Sequence, residues 1–399
     1  MSAMGIQNDN GDGMYVPSNL PASLAGPLTE LGPDTPNVYY VDLESAEVQA
    51  IDDALTSFKS LEIDGQDVCK DNFSLPTSIE TKMKKAALAV HLGIGVCVIR
   101  GLTPSRYSEA DNLTVFLGLA HYIGDKHGLQ DRKGNVISHI TDSKAWSIPY
   151  EQRHGAHTNR PLKWHCDMGA DVLALQVRQV AAQGGATLVS SSWKVYNELM
   201  KERPDVVQAL TTPNWPVHMP KSKGRYTMAP IIAFEQGNLL INFDPSRLGA
   251  HPKQGRSSIP ALTDVQTEAL EVLSAAAGRN GVKLDSKAGD LIFLNNWAIM
   301  HARGAYVDAE DAADEATRRH LLRLWLRSSE LGWDIPASMR GPWETVFGYA
   351  DEGYISGDRE QTPQLKYAVV PESNYKPARY ATGSAAFVIE DSDGESDDE

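Results

Sequence analysis

WHCDMGADVLALQVRQVAAQGGATLVSS, residues 164–191, is the stretch on which the fold turns. DVLALQVRQVA reads as a strand, the pair Gly184 and Gly185 as a turn, and ATLVSS as a second short strand. Just ahead of them stand His165 and Asp167, two positions apart. Side chains alternate faces along a strand, so the imidazole and the carboxylate point one way while Cys166 points the other. One imidazole and one carboxylate on a shared face can grip one metal ion, and a third ligand has to come from elsewhere in the chain.

Outward from this stretch the same punctuation continues. RYTMAPIIAF (225–234) and GNLLINFD (237–244) read as strands, GDLIFLNNWAIMHARGAY (289–306) as a strand pair or one bent strand, and RRHLLRLWLRS (318–328) as a further strand. Two helices interrupt them. One follows Ser192 and buries Val195, Tyr196 and Leu199; the other starts at Thr263, where Gln266 completes a capping box, and ends at Gly278. Upstream, Val48, Ile51, Leu55 and Phe58 recur with helical period, and a capping-box pattern from Thr77 to Glu80 opens a second helix. That helix runs into GIGVCVIRGL (93–102), a buried strand, followed by a helical SRYSEADNLTVFLGLAHYIG (105–124) and a strand VISHITD (136–142). Many short strands with inserted helices predict a mainly β fold with α elaborations: a double-stranded β-helix, or jelly-roll, core flanked by helices. The expected organisation is a flexible arm over residues 1–36, a single catalytic domain over 37–385, and an acidic tail over 386–399.

Bulk properties narrow the function classes. With 399 residues, 42% of them hydrophobic, the chain can bury a large core. The last ten residues, EDSDGESDDE, hold seven acidic groups, and setting them aside takes the formal charge from −15 to −8, an ordinary value. No basic stripe or reading motif suggests nucleic acid. No membrane span or secretory leader is visible, which makes the cytoplasm the expected compartment. Three scattered cysteines, Cys69, Cys97 and Cys166, fit neither a disulfide framework nor a structural zinc site. The sequence leaves open whether the protein is a homo-oligomer.

His301, at the end of an apolar strand in NNWAIMHARG, is the best candidate for the third ligand. Two histidines and one carboxylate on one face of an octahedron leave three positions open, the arrangement of non-haem Fe(II) oxygenases. Arg319, Arg323 and Arg327 recur every four residues, so one face of their strand carries all three. Facing inward they would need anionic partners, and a dicarboxylate held in a two-pronged fork would supply one. The plainer arrangement has the leucines and Trp325 facing the core and the arginines facing water.

In the order of these segments the sequence resembles the taurine dioxygenase-like (TauD/TfdA) family of Fe(II)- and 2-oxoglutarate-dependent oxygenases, and looks closest to its fungal members. The resemblance runs from GIGVCVIRGL to LGWDIPASMRGPWETVFG and is most specific in WHCDMGADVLALQVRQVAAQGGATLVSSSWKVYNEL, GDLIFLNNWAIMHARGAY and RRHLLRLWLR. It implies His165, Asp167 and His301 as iron ligands, with Thr187 and Arg319 at the C5 carboxylate of 2-oxoglutarate. Arg323 falls where relatives face an anionic group of the substrate, and the two arginine roles are exchangeable. VDAEDAADEAT, a longer segment between His301 and Arg319 than in those relatives, weakens the argument from spacing. The implied reaction consumes 2-oxoglutarate and O2, releases succinate and CO2, and hydroxylates, desaturates or otherwise oxidises a C–H bond of a small, anionic metabolite such as an amino acid or biosynthetic intermediate. Asp167 argues against halogenation, because related halogenases lack that carboxylate.

Other candidate substrate-binding residues are Trp164 as pocket wall, Asn296 at the mouth near His301, and His127, which falls where taurine-specific relatives place a substrate-contacting histidine; packing for Trp164 and a surface position for His127 are the plainer accounts. Arg303 is expected to steady the end of the His301 strand. Two competing functions stay open at this stage. One is a zinc-dependent hydrolase or isomerase using the same His-Asp-His site; the other is a non-catalytic interaction protein that recruits a partner through its acidic tail.

Overall fold

The computed structural model describes residues 20–35, 39–131, 134–142, 155–218, 226–250, 259–309, 318–348 and 364–371. The acidic tail lies outside them. At the centre is Val172–Gln179, a strand buried along nearly its whole length. It is hydrogen-bonded on one side to Leu291–Asn295 and on the other to His320–Arg327, both antiparallel. The sheet continues outward through Val96–Arg100 to Tyr40–Asp42 on one flank, and through Lys126–His127 and Ile137–Thr141 on the other.

Side-chain alternation divides this major sheet into two faces. Val172, Ala174, Leu291, Phe293, Leu322, Leu324 and Leu326 pack against the helices Ser45–Lys59, Thr77–His91 and Glu109–Ala120, which contribute Ile51, Phe58, Met83 and Phe116. Leu173, Leu175, Val177, Ile292, Leu294, Leu321 and Trp325 belong to the other face and to a separate apolar cluster. That cluster includes Val189, Ile299 and Met300 of a minor sheet ordered Val282–Lys283, Thr187–Ser191, Ile299–Arg303, Leu162–His165. Two sheets, antiparallel except where Tyr40–Asp42 pairs in parallel with Val96–Arg100 at the edge of the major one, share an apolar interior and make the expected jelly-roll core. The arginines share the inner face with Leu321 and Trp325, so the water-facing arrangement is overturned.

The stretch Gly289 to Tyr306 resolves as a strand pair that changes sheets. Leu291–Asn295 lies in the major sheet and Ile299–Arg303 in the minor one, with a turn at Asn296 to Ala298 between them. Local expectations hold unevenly elsewhere. The Thr263–Gln266 capping box forms, and its helix, Asp264–Arg279, runs one residue past Gly278. The Thr77–Glu80 box does not form: Pro76 is the cap residue and Thr77 the first helical one. A capping box instead opens Ser45–Lys59, through Glu44 and Glu47. The helix Pro204–Thr211 was not anticipated, because Pro204 reads as a break yet sits at a first helical turn, where its missing N–H costs nothing.

Ordered packing also begins before residue 37. Leu31 is fully buried and Leu28 nearly so. The Tyr196 hydroxyl donates to the Pro21 carbonyl at 2.7 Å, and the Asn197 amide pairs with both backbone groups of Leu24. Residues 20–35 therefore belong with the core rather than with a flexible arm. No helix among the described residues is long and apolar enough to cross a membrane.

Candidate metal centre and active site

Leu162–His165 and Ile299–Arg303 run antiparallel, with His165 directly opposite His301. Their rings lie side by side, centroids 4.1 Å apart. The first strand ends at His165, so Asp167 does not share it as strand alternation suggested; it sits in the turn beyond. That turn depends on Gly169, at φ 90°, where a side chain would meet the Pro342 carbonyl oxygen at 2.6 Å. The chain thereby brings Asp167 Oδ1 to 3.7 Å from His165 Nε2 and 3.6 Å from His301 Nε2. Cys166, as expected, faces away: it is buried, and its backbone N–H donates to the Phe243 carbonyl.

The donor atoms suit a cation. All three residues are buried, and their ligand atoms lie within 4.8 Å of one another. His165 Nδ1 contacts the Lys163 carbonyl at 2.7 Å, which places the proton there and leaves the Nε2 lone pair for a metal. Among the described residues, the buried His165 Nε2 and Asp167 Oδ1 have no hydrogen-bond partner. Facing acceptors without a donor are costly in a protein interior, and a divalent cation between them removes the cost. Burial, reinforced by the neighbouring His165, pushes the pKa of His301 down to about 3, so the ring is neutral as ligation demands. Burial alone would raise the pKa of Asp167, but the guanidinium of Arg323, together with the two histidines, holds it below the usual carboxylate value.

Asp167 is fixed at both its backbone and its side chain. Asn296, in the sheet-changing turn, accepts from the Asp167 backbone N–H at 2.8 Å and donates to the carbonyls of Asp167 at 2.6 Å and Ala170 at 2.7 Å. Asn296, expected to line the mouth as a substrate contact, instead clamps the loop that carries Asp167 and is absent from the cavity lining. Asn296→Ala is predicted to cost about 1–3 kcal/mol for each buried backbone group it strands, seen as a lower urea midpoint, with a parallel loss of metal affinity in a Co(II) titration. On the side chain, Asp167 Oδ2 accepts from Arg323 Nη1 at 3.1 Å and from Trp325 Nε1 at 2.6 Å.

A cavity opens beside the triad, between the two sheets. Ile140, Leu162, Leu173, Leu175 and Leu321 form its apolar walls; Thr187, Arg303, Arg319 and Arg323 add polar groups, and Asp167 and His301 reach it directly. Arg319 is anchored by its backbone N–H to Asp308 Oδ1 at 2.9 Å and by Nη2 to the Gly185 carbonyl at 3.2 Å. Gly185 permits this approach, since at φ 70° a Cβ there would stand 2.9 Å from Arg319 Nε. Tyr306 lies between two guanidiniums, its ring centre 5.2 Å from Arg319 and 5.1 Å from Arg303. Arg303 also donates to the carbonyls of Gly155, Thr158 and Arg160, which extends its expected role of steadying the strand end. Arg319 Nη1 has no hydrogen-bond partner among the described residues. Burial lowers the pKa of Arg319 to about 10, so the cation persists at neutral pH and faces the cavity.

Trp164 and His127, like Asn296, lie apart from the cavity lining. Trp164 points to the opposite side of its strand from His165 and packs against Gly278 and Gly281, at the end of an outer helix. His127 is buried rather than on the surface, with Nδ1 2.8 Å from the Tyr367 hydroxyl and its ring 4.8 Å from that of His121. Gln130 and Tyr306 were not anticipated, and no local pattern announces them. Trp325 was placed in the core; its contact with Asp167 follows from sharing a strand face with Arg323.

A jelly-roll core with a buried two-histidine, one-carboxylate triad and an adjoining buried guanidinium defines the class of non-haem iron oxygenases. Residues 27–325 match the family described as "Taurine catabolism dioxygenase TauD, TfdA family". The chain belongs to the TauD/TfdA family of non-haem iron oxygenases, which draw on Fe(II), 2-oxoglutarate and O2. Among its relatives is the taurine hydroxylase-like protein SAT17 of Stachybotrys chartarum, 32% identical over 319 residues, or 77% of this chain and 80% of the relative. FR-33289 synthase of Streptomyces rubellomurinus is 27% identical over 260 residues, 62% of this chain and 73% of that one. Of solved structures, asparagine oxygenase in complex with Fe(II), 3-hydroxyasparagine and succinate superposes with a TM-score of 0.57 at 17% identity, covering 73% of this chain and 94% of that chain. The non-heme iron oxygenase OrfP in complex with Fe and alpha-ketoglutaric acid gives 0.56 at 16% identity over the same shares. These likenesses support the fold.

Proposed function

We propose that the protein oxidises a C–H bond of a small metabolite, with His165, Asp167 and His301 holding Fe(II) and with Arg319 and Thr187 receiving the distal carboxylate of 2-oxoglutarate. The observation that carries this is one cavity lined by Asp167 and His301 of the triad and by the buried guanidinium of Arg319; among the described residues Asp167 Oδ1, the adjoining His165 Nε2 and Arg319 Nη1 have no hydrogen-bond partner. When bound, the iron and the cosubstrate supply the oxidising chemistry, in which decarboxylation of 2-oxoglutarate to succinate is coupled to oxidation of the substrate. The chain supplies placement. His165, Asp167 and His301 would hold the ferrous ion and leave room at it for cosubstrate and O2. The Arg319 fork orients the far end of the dicarboxylate, while the leucine walls keep water away from the reacting centre.

The substrate class is a small metabolite bearing a carboxylate or another anionic group, in keeping with structural neighbours solved in complex with 3-hydroxyasparagine and with (3S)-hydroxy-L-arginine. Arg323, which the family resemblance places at that anion, lines the same cavity and also donates to Asp167 and Gln130. The test is succinate release from 2-oxoglutarate by the Fe(II)-loaded protein across a panel of free amino acids, sulfonates and neutral amides. The reading predicts release stimulated by a subset of the panel, matched by a product one oxygen heavier or two hydrogens lighter. Succinate release stimulated by none of several hundred small metabolites would count against it.

A further inference from the structure

Resting on the iron site proposed above, we infer that Arg323 and Trp325 are positioning residues for the metal-ligating carboxylate of Asp167, with Gln130 holding Arg323 from behind. Arg323 and Trp325 stand two apart in His320–Arg327, so both project from the inner face of the major sheet. Both donate to the same oxygen, Asp167 Oδ2. Gln130 Oε1 in turn accepts from Arg323 Nε and from Ser138 Oγ, each at 3.1 Å. The guanidinium also lies 4.8 Å from the Trp325 ring centre. Ladders on both sides hold this strand, with Arg323 opposite Leu175 on one and Ser138 on the other.

Two donors on one carboxylate oxygen fix the rotation of the group about its Cβ–Cγ bond. Oδ1 is then aimed between the two histidine Nε2 atoms, while Oδ2 is occupied. Asp167 consequently offers the metal one oxygen rather than two, which preserves the positions that cosubstrate and O2 require. Arg323 thus acts through the metal ligand.

The experiment is anaerobic titration of the full-length apoprotein with Co(II), then with 2-oxoglutarate, for wild type, Trp325→Phe and Arg323→Lys. Trp325→Phe removes one N–H and keeps the charge; Arg323→Lys keeps the charge and loses the fork, so either suffices if the other does not fold by circular dichroism. Loss of such an outer partner costs about 10–100-fold in metal affinity, and that drop, with altered Co(II) d–d bands, is the expected result. Wild-type Co(II) affinity in folded variants would overturn the inference while leaving the iron site intact. So would undiminished metal binding with 2-oxoglutarate lost in Arg323→Lys, which would make Arg323 a cosubstrate ligand. Failure of the wild type itself to bind the metal would instead defeat the site reading on which the inference stands.

Discussion

His301→Ala abolishes metal-dependent turnover and reduces Fe(II) affinity by more than the roughly 10–100-fold that loss of an outer-shell partner costs. The reason is geometric. His301 and His165 face each other across one antiparallel pair, and Asp167 Oδ1 is nearly equidistant from their Nε2 atoms, at 3.6 and 3.7 Å. Removing either ring leaves two ligands, too few to retain a ferrous ion against water. The fold should survive, because His301 lies in a strand whose backbone ladder to Thr187–Ser191 is unaffected. Asp167 is a poorer choice, since its removal strands a buried guanidinium, at about 3–5 kcal/mol of stability. Calorimetric Fe(II) titration alongside a thermal melt separates the outcomes: weak metal binding with an unchanged melt is expected, and wild-type affinity would remove His301 from the ligand set.

Arg319→Met is the second large effect, and its two consequences point in opposite directions. Truncating one partner of a buried, hydrogen-bonded charge pair costs about 2–5 kcal/mol of binding, so 2-oxoglutarate affinity should fall roughly 30- to 4,000-fold. Without cosubstrate, however, Arg319 is a buried cation, its Nη1 unbonded among the described residues, beside a second cation, Arg303. An apolar side chain of similar length relieves that desolvation, so the apoprotein should melt at the same temperature or higher. A protein equally stable or more so, yet unable to bind 2-oxoglutarate, is not explained by damage to the fold. A lower melting temperature with cosubstrate binding retained would place the anion receptor elsewhere.

How far the sequence carried is clearest along His320–Arg327. Its fourfold arginine spacing correctly put Arg319, Arg323 and Arg327 on one face. Which face was ambiguous, because leucines alternate with the arginines and either row can line a core. Three helices on the outer side, receiving Leu322, Leu324 and Leu326, decide it. His165, Asp167 and His301 were legible as types and order, but their convergence was not due to strand alternation alone. It needs the strand to stop at His165, the turn at Gly169 and the grip of Asn296, all set by contacts more than a hundred residues apart in the chain. Gln130 and Tyr306 escaped for the same reason: lone polar side chains acquire meaning only when the sheets close. The docked segment 20–35 was hidden by its glycines and prolines, although Leu28 and Leu31 were the apolar signal available.

The central claim is one cavity holding iron and 2-oxoglutarate together. Its most direct test is anaerobic titration of apoprotein with Fe(II) and then 2-oxoglutarate, followed by visible absorption. Chelation of ferrous iron by a 2-oxo acid produces a charge-transfer band; the account predicts that band in the wild type, its absence in His301→Ala, and its loss in Arg319→Met at cosubstrate concentrations that saturate the wild type. Tight metal binding with no band at any 2-oxoglutarate concentration would contradict it, and activity restored by zinc rather than iron would point to a hydrolytic site built from the same three ligands.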